Sequence, residues 1–403
     1  MRGAASMSDA FDDAYTGILT RLSRIPRRAD DPDVRMWGGV VPPWGPRGQE
    51  LTLGGAGWDD DAARAACGGE AIERVQAYPL PGDGIVERRF SEWTPAEPAI
   101  GPGRWTLFHP EQQAPFEAFT PDRLVRWVCF REAITGLAHW IPQDFGYLFH
   151  ESGPRLAPSY STGLSCGRAD HPVLLRGLQE VIERDAMVGA WWGSYPLEEW
   201  KADDVLRELD PSIPRRVLRP NRRYRFYRAR SPFSDHATLV TVEVDGLFAA
   251  GSACRETRAL SWTKSLLEAI QGAAYVRQLR ADRGGMDWVE DRSDFAHHAA
   301  YYTAHPERLR ETVLEGATAP DGRASSVESV ATLRERLGPE RPVLSRIMTP
   351  TGIAEAARDW IVLRVVVPGL QPLHGNDRWP HLGGPLWGRP VSEWAKMPPH
   401  PFA

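Results

Sequence analysis

Cysteine is scarce in this 403-residue chain. Cys67, Cys129, Cys166 and Cys254 stand far apart and form no Cys-x-x-Cys pair. Neither a structural zinc site nor a disulfide framework is therefore indicated. Long apolar runs are missing too. None reaches the about 18 residues that a membrane-crossing helix needs, so no membrane association is expected. The opening MRGAASMSDAFDD turns acidic where an export signal would need an apolar core, which points to a cytoplasmic protein. There is no GxxxxGK[ST] phosphate loop and no GxGxxG ahead of a helix, so any nucleotide bound here would be held without either common glycine loop. Neither sign of charge dominates: 48 Lys and Arg face 53 Asp and Glu, a net charge of −5. That argues against general nucleic-acid affinity. The Arg-rich stretch from Arg215 to Arg230 reads as a solvated strand face rather than a docking site for an acidic partner.

What is present is a composition of ordinary globular type, 42% hydrophobic and 25% charged, with 16 Trp. The Trp content suits a large core or a peptide-binding groove, and core packing is the simpler reading. Apolar spacing at Tyr15, Ile18, Leu19, Leu22 and Ile25 predicts a short helix ending before Pro26. Residues 26–57 read as loop with one strand at Glu50–Leu53, so residues 1–49 form a helix-and-loop segment. Helices are expected from Asp59 to Tyr78, from His171 or Pro172 to Trp192, and from Leu260 to Arg280. Strands are expected at Tyr224–Ala229, Thr238–Val244, Leu247–Gly251 and Asp359–Val367, the last stopped by Pro368-Gly369. Residues 281–345 look helical and polar. Residues 374–403 are rich in Pro and Gly and should hold little regular structure. No long linker interrupts residues 50–403, so the expected fold is one large α/β domain of mixed sheets and helices around a central cleft, with a Pro-rich C-terminal tail.

An internal echo stands out. Glu70-Ala-Ile-Glu73-Arg74, Glu180-Val-Ile-Glu183-Arg184 and Glu268-Ala-Ile-Gln271 share the pattern E-[AV]-I-[EQ], each inside an expected helix. Side chains at i and i+3 share a helix face, so each helix can offer two oxygen ligands to one point, while the Ile between them turns to another face for packing. Neighbouring carboxylates repel, and an Arg such as Arg74 or Arg184, or a metal, relieves that. Magnesium suits the pattern, since it takes oxygen ligands, keeps waters and is commonly shared with substrate phosphates. The ordinary alternative is a surface helix with weak Glu–Arg pairs. Two small-residue segments flank these helices. Gly54-Gly55-Ala56-Gly57 reads as a turn able to turn N–H groups toward phosphate, and Ser161 to Gly167 as a loop lining a ligand; each is equally readable as an ordinary tight turn.

The string from Ser161 to Gly167, followed by Leu175-Arg-Gly-Leu-Gln-Glu-Val-Ile-Glu-Arg-Asp-Ala186, resembles the YcaO family. So do the upstream GGAGW…AARAACGGEAIER, the later HGNDRWPHLGG and the ending Met397-Pro-Pro-His-Pro-Phe-Ala403. The resemblance runs in order from about residue 50 to the end and implies an ATP cleft inside a YcaO-like domain. It implies Mg²⁺ ligation by Glu70, Glu73, Glu180 and Glu183, with Arg74, Arg184, Glu268 and Gln271 also in the ATP site. Several positions depart from the family pattern. Ala56 replaces a Lys, Ala66 a Ser and Pro172 a Glu, with Asp170 the nearest carboxylate. An Arg expected just after Gln271 is absent, with Arg277 further along the same helix. The chain ends in Ala403 where Pro is usual.

The resemblance further implies an ATP-dependent cyclodehydratase of the azoline-forming branch, as in antibiotic biosynthesis. It would convert Cys, Ser or Thr of a ribosomally made precursor peptide into thiazoline or oxazoline. His400 and the terminal carboxylate of Ala403 are the candidates for moving protons. The chain carries no evident leader-recognition domain. The resemblance therefore implies a leader-binding, ubiquitin-activating-enzyme-like partner protein, with a flavin dehydrogenase as a further partner and a homodimer as the expected assembly. Thioamide or amidine formation, and a degenerate scaffold subunit, remain as other readings.

Overall fold

Described here, in a computed structural model, are residues 18–43, 50–80, 82–105, 107–148, 154–168, 170–321, 325–348 and 360–402. The chain opens with an antiparallel meander, β1 (Arg21–Arg24), β2 (Arg35–Val41) and β3 (Leu51–Gly57), in that spatial order. Helix α1 (Asp60–Val75) follows at once. Asp59 caps it by accepting from the Ala62 N–H, and Asp60 and Asp61 in its first turn suit the positive end of the helix dipole. The helix lies almost on the strand. A Cβ on Gly55 would come within 2.3 Å of the Cys67 nitrogen, and one on Gly57 within 2.5 Å of the Ala63 nitrogen.

The second sheet has six strands: β4 (Val86–Arg89), β5 (Leu124–Glu132), β6 (Ala138–Pro142), β7 (Leu164–Arg168), β12 (Leu344–Ile347) and β13 (Trp360–Val366). Its order is β4-β5-β12-β13-β7, with β6 also paired to β5. The third is an antiparallel run of β8 (Leu197–Trp200), β9 (Arg222–Ala229), β10 (Thr238–Val244) and β11 (Leu247–Ala253). Helix α2 (Val173–Trp191) lies between these sheets, on β13 and β7 at one side and beside β11 at the other. Gly177 admits the Val365 side chain there, since a Cβ would sit 2.6 Å from it. Helix α3 (Arg258–Asp282), capped by Thr257, packs on β11 as α1 packs on β3: a Cβ on Gly251 would meet the Ala269 nitrogen at 2.3 Å. Shorter helices α4 (Phe295–Ala304) and α5 (Val330–Leu337) close the outside.

The Ile in each echo packs as its helical spacing requires. Ile72, Ile182 and Ile270 are all buried, each worth about 1.5–3 kcal/mol of transfer free energy. The C-terminal tail has only a short 3₁₀ turn, Val391–Lys396, yet it is part of the core. Leu382, Leu386, Trp387 and Phe402 join the cluster formed by α2, α3 and the third sheet. The Trp191 indole donates to the Pro398 carbonyl at 3.0 Å and the Tyr302 hydroxyl to the Pro399 carbonyl at 2.6 Å.

The expected α/β architecture is present, and the central helices and strands fall close to their expected spans. Several local expectations are corrected. Arg21–Arg24 is a strand rather than the end of a helix, because it pairs with β2; Tyr15 lies outside the described residues. Residues 26–57 hold two full strands instead of one short one. Gly54–Gly57 is not a turn offering N–H groups to phosphate but the end of β3, laddered to β2, with glycine needed for the close approach of α1. Leu164–Gly167 likewise belongs to a strand, and Gly163, at φ +85°, is the turn that enters it. Strands β5 and β6 fall where no element was expected. No helix among the described residues is long and apolar enough to cross a membrane.

Candidate active site on three helices

The echoed acids of α1 and α2 face one another. On α1, Arg74 bridges its own acids, with Nη2 3.4 Å from a Glu70 oxygen and Nη1 3.2 Å from a Glu73 oxygen. On α2, Arg184 lies 4.0 Å from Glu180 and 3.8 Å from Glu183. Glu183 is fixed further from β11, where the Ser252 hydroxyl donates at 2.7 Å and the Cys254 N–H at 3.1 Å. On α3, Glu268 pairs with Lys264 at 3.1 Å, and its charge is felt at Arg184. Gln271 of α3 turns toward the first sheet, its Nε2 3.4 Å from where a Cβ on Gly54 would stand.

Coupling across the cleft is visible in the acids' proton affinity. Burial pushes Glu73 up to about 8; Arg74 opposes this, while the negative charges of Glu180 and Glu70 add to it. Burial likewise pushes Glu180 up to about 7, opposed by Arg184 and reinforced by Glu183. Glu73 on α1 therefore senses the charge of Glu180 on α2. Buried carboxylates held at this disadvantage mark a candidate functional site.

A third cation was not anticipated. Arg364 projects from β13 and is fully buried. It donates to the Phe145 carbonyl at 3.3 Å and lies over the Tyr160 ring at 5.0 Å, while its Nε and Nη1 have no hydrogen-bond partner. Burial lowers its pKa, and Tyr160, Glu180 and Glu73 partly restore it. Its signal was in the sequence: a lone Arg inside the apolar run IVLRVVV, where a buried charge needs buried counter-charges.

The remaining expected residues fall elsewhere. Arg277 does not stand in for the missing Arg, since it binds Asp31 through two 3.0 Å contacts, beside Arg222. Asp170 does not replace the lost Glu; it is exposed, 4.0 Å from Arg168. His400 is buried against α4, its Nε2 2.7 Å from the His374 carbonyl and its Nδ1 3.3 Å from the Nδ1 of His298. Burial, then His374, holds His400 well below the usual histidine range, and Arg184 contributes. The tail thus comes within electrostatic reach of the acid cluster, yet both nitrogens of His400 are engaged and neither is free to act as a base. Ala403 lies outside the described residues.

The model of the YcaO cyclodehydratase family, described as ATP- and Mg²⁺-binding, matches residues 54–371. The chain belongs to the YcaO family. ATP and Mg²⁺ are accordingly its cofactors. Among solved structures, YcaO from Methanopyrus kandleri bound with AMPPCP and Mg²⁺ is 20% identical, over 88% of this chain and 86% of that one, with a TM-score of 0.56. A heterocyclase in complex with substrate and cofactor is 17% identical over 96% of this chain, with a TM-score of 0.68. This YcaO chain covers 55% of that protein's length. The E. coli microcin synthetase McbBCD complex is 14% identical over 98% and 99% of the two chains, with a TM-score of 0.64. At such identities the likeness is one of fold. Among curated proteins, none matches the chain.

The residues present fit Mg²⁺ in one particular way. Among the described residues no three carboxylate, Cys or His groups converge to close a metal cage. Magnesium does not require one, because it binds through one or two carboxylates, waters and phosphates. The raised Glu73 and Glu180 supply oxygen donors whose ionisation a hard cation would favour.

Proposed function

We propose that this YcaO protein is an ATP-dependent cyclodehydratase that turns Cys, Ser or Thr residues of a ribosomally made precursor peptide into thiazolines or oxazolines. The observation that carries the proposal is the facing of the α1 and α2 acids, with Glu73 and Glu180 pushed up to about 8 and about 7 and Arg74, Arg184 and Arg364 beside them. When bound, Mg·ATP supplies the phosphoryl group that makes an amide oxygen a leaving group. Of the expected ligands Glu70, Glu73, Glu180 and Glu183, the raised pair Glu73 and Glu180 would hold the metal, Glu183 being tied to Ser252 and the Cys254 N–H and Glu70 to Arg74. Arg74 and Arg184 would neutralise phosphate charge, and Arg364 holds Glu73 and Glu180 closer to the ionised state. The fixed carboxylate of Glu183 and the close packing of α1 on β3 keep this array preorganised, which matters because phosphoryl transfer depends chiefly on positioning and charge.

Peptide recognition is proposed to need a second protein, a leader-binding, ubiquitin-activating-enzyme-like partner; one fold neighbour is a multi-protein synthetase complex. A flavin dehydrogenase and self-association belong to the same proposal. Ala56 and Ala66, standing where the family carries polar groups, favour a second reading: a subunit that binds nucleotide or peptide without catalysis. The test is to combine the protein, its partner, Mg·ATP and co-encoded peptides and to follow peptide mass. Loss of one water per ring, with matching ADP release, is expected. ATP turnover with exchange of oxygen for sulfur would indicate thioamide chemistry. No turnover in the wild type, at the same level as Glu180→Gln, would favour the scaffold.

A further inference from the structure

Four of the chain's 11 histidines, His298, His374, His381 and His400, gather in a buried cluster at the end of the tail, outside the family-model match for all but His298. The ring centroids of His400 lie 4.3 Å from those of His298 and 4.9 Å from those of His374. Asp377 is the only carboxylate in direct contact with the cluster among the described residues. Its Oδ1 is 3.3 Å from His374 Nε2 and 3.3 Å from His298 Nε2, and its Oδ2 is 3.4 Å from the half-buried Arg292.

Partner chemistry fixes where the protons sit. A carbonyl only accepts, so His400 must carry its proton on Nε2, facing His374 O. A second proton on His400 would make a buried cation near Arg184, which burial and that charge both oppose. His400 Nδ1 is therefore an acceptor. The atom facing it is His298 Nδ1, which must donate. His298 is thereby held in the Nδ1–H form, and its Nε2 lacks a hydrogen-bond partner of good geometry while facing Asp377. Asp377 accepts from His374 Nε2 and so fixes the ring whose own backbone carbonyl takes the His400 proton.

We propose that His298 and Asp377 are positioning residues for the ring-forming step: His298 satisfies the Nδ1 of His400, Asp377 fixes His374, whose carbonyl takes the other nitrogen, and together they lock the C-terminal tail beside Arg184 and the acid cluster. His400 acts as the latch of this tail, not as a free base. This rests on the reading that the tail contributes to the cyclodehydratase site, but the lock itself can be measured without turnover.

Two measurements on the full chain test it. Histidine ¹⁵N spectra of the wild type should show the His298 ring protonated on Nδ1 and coupled to His400, apart from His236 and His381, whose Nδ1 atoms face backbone carbonyls. Deuterium uptake of the 397–402 segment, Mg·AMPPCP affinity and ring formation are then compared among His298→Ala, His298→Asn and Asp377→Asn. The Asn amide N–H takes the place of the Nδ1–H. His298→Ala should expose the tail and lower kcat about 10- to 100-fold, as expected of misplaced active-site groups, with nucleotide affinity and KM little changed. His298→Asn should restore protection and most of the rate. Asp377→Asn should fall between them. Equal defects in His298→Ala and His298→Asn, an unaltered tail in His298→Ala, or a wild type in which the ring coupled to His400 is not protonated on Nδ1 would overturn the proposal. If the wild type makes no rings with any peptide, the cyclodehydratase reading fails, while the spectra and deuterium uptake still decide the lock.

Discussion

At the scale of the residue, the site is governed by the cost of burying like charges. Glu73 and Glu180 are pushed well above the ordinary carboxylate value because burial strips most of their water and other acids lie close. Metal ligation requires the ionised form, so Mg·ATP affinity should rise with pH through the interval from about 7 to about 8, with proton release on binding. Calorimetry in buffers of different ionisation enthalpy would detect it; a pH-independent affinity without proton release would contradict it. The stability of the free protein runs the opposite way. These acids have higher pKa values folded than unfolded, so their favourable contribution is present below 4.5 and is lost as pH rises toward about 8. Arg364→Gln removes a cation that favours both ionised acids. The pH midpoint of nucleotide binding should therefore move upward, and a midpoint that stays in place would remove Arg364 from the site. This residue was the clearest miss of sequence reading. The run IVLRVVV was legible as a strand, but the consequence of one charge inside it was not drawn.

At the scale of the element, the i, i+3 pairing of acids and the inward-facing Ile were legible because helical spacing alone fixes them. The glycines misled because local sequence cannot distinguish a glycine that makes a turn from one that admits a helix. Gly54–Gly57 looked like a turn, whereas Gly55 and Gly57 are small because α1 rests on them. Strand β2, with its paired glycines, was hidden for the same reason, and β1 was read at helical period from five apolar residues. The tail showed its lack of regular structure in its prolines, but not its burial, which depends on contacts with Trp191 and Tyr302 far away in sequence. Two substitutions separate the roles of the glycines. Gly55→Ala should cost about 1–3 kcal/mol or more, because it drives a methyl into helix backbone. Gly54→Ala, whose Cβ would meet Gln271 Nε2 at 3.4 Å and the Trp37 carbonyl at 3.7 Å, should cost far less. Comparable midpoints for the two variants in urea unfolding would refute the packing argument.

At the scale of the molecule, α2 is the junction. It contacts the six-stranded sheet through Val365, the third sheet through Glu183 and the tail through Trp191, so ligand bound at its acids stabilises several parts of the fold together. Mg·ATP at about 100 times its Kd should add about 2.7 kcal/mol to the unfolding free energy, seen as a rise in Tm that ATP without Mg²⁺ does not match. The most direct measurement is calorimetric titration of Mg·AMPPCP into the wild type and into Glu73→Gln and Glu180→Gln, with Glu335→Gln, on α5, as an exposed control. Acids from separate helices sharing one metal–nucleotide site predict saturable, Mg²⁺-dependent binding that weakens at least about tenfold in either site variant, about 1.4 kcal/mol, and not in the control. Undiminished binding in both Glu73→Gln and Glu180→Gln would contradict it.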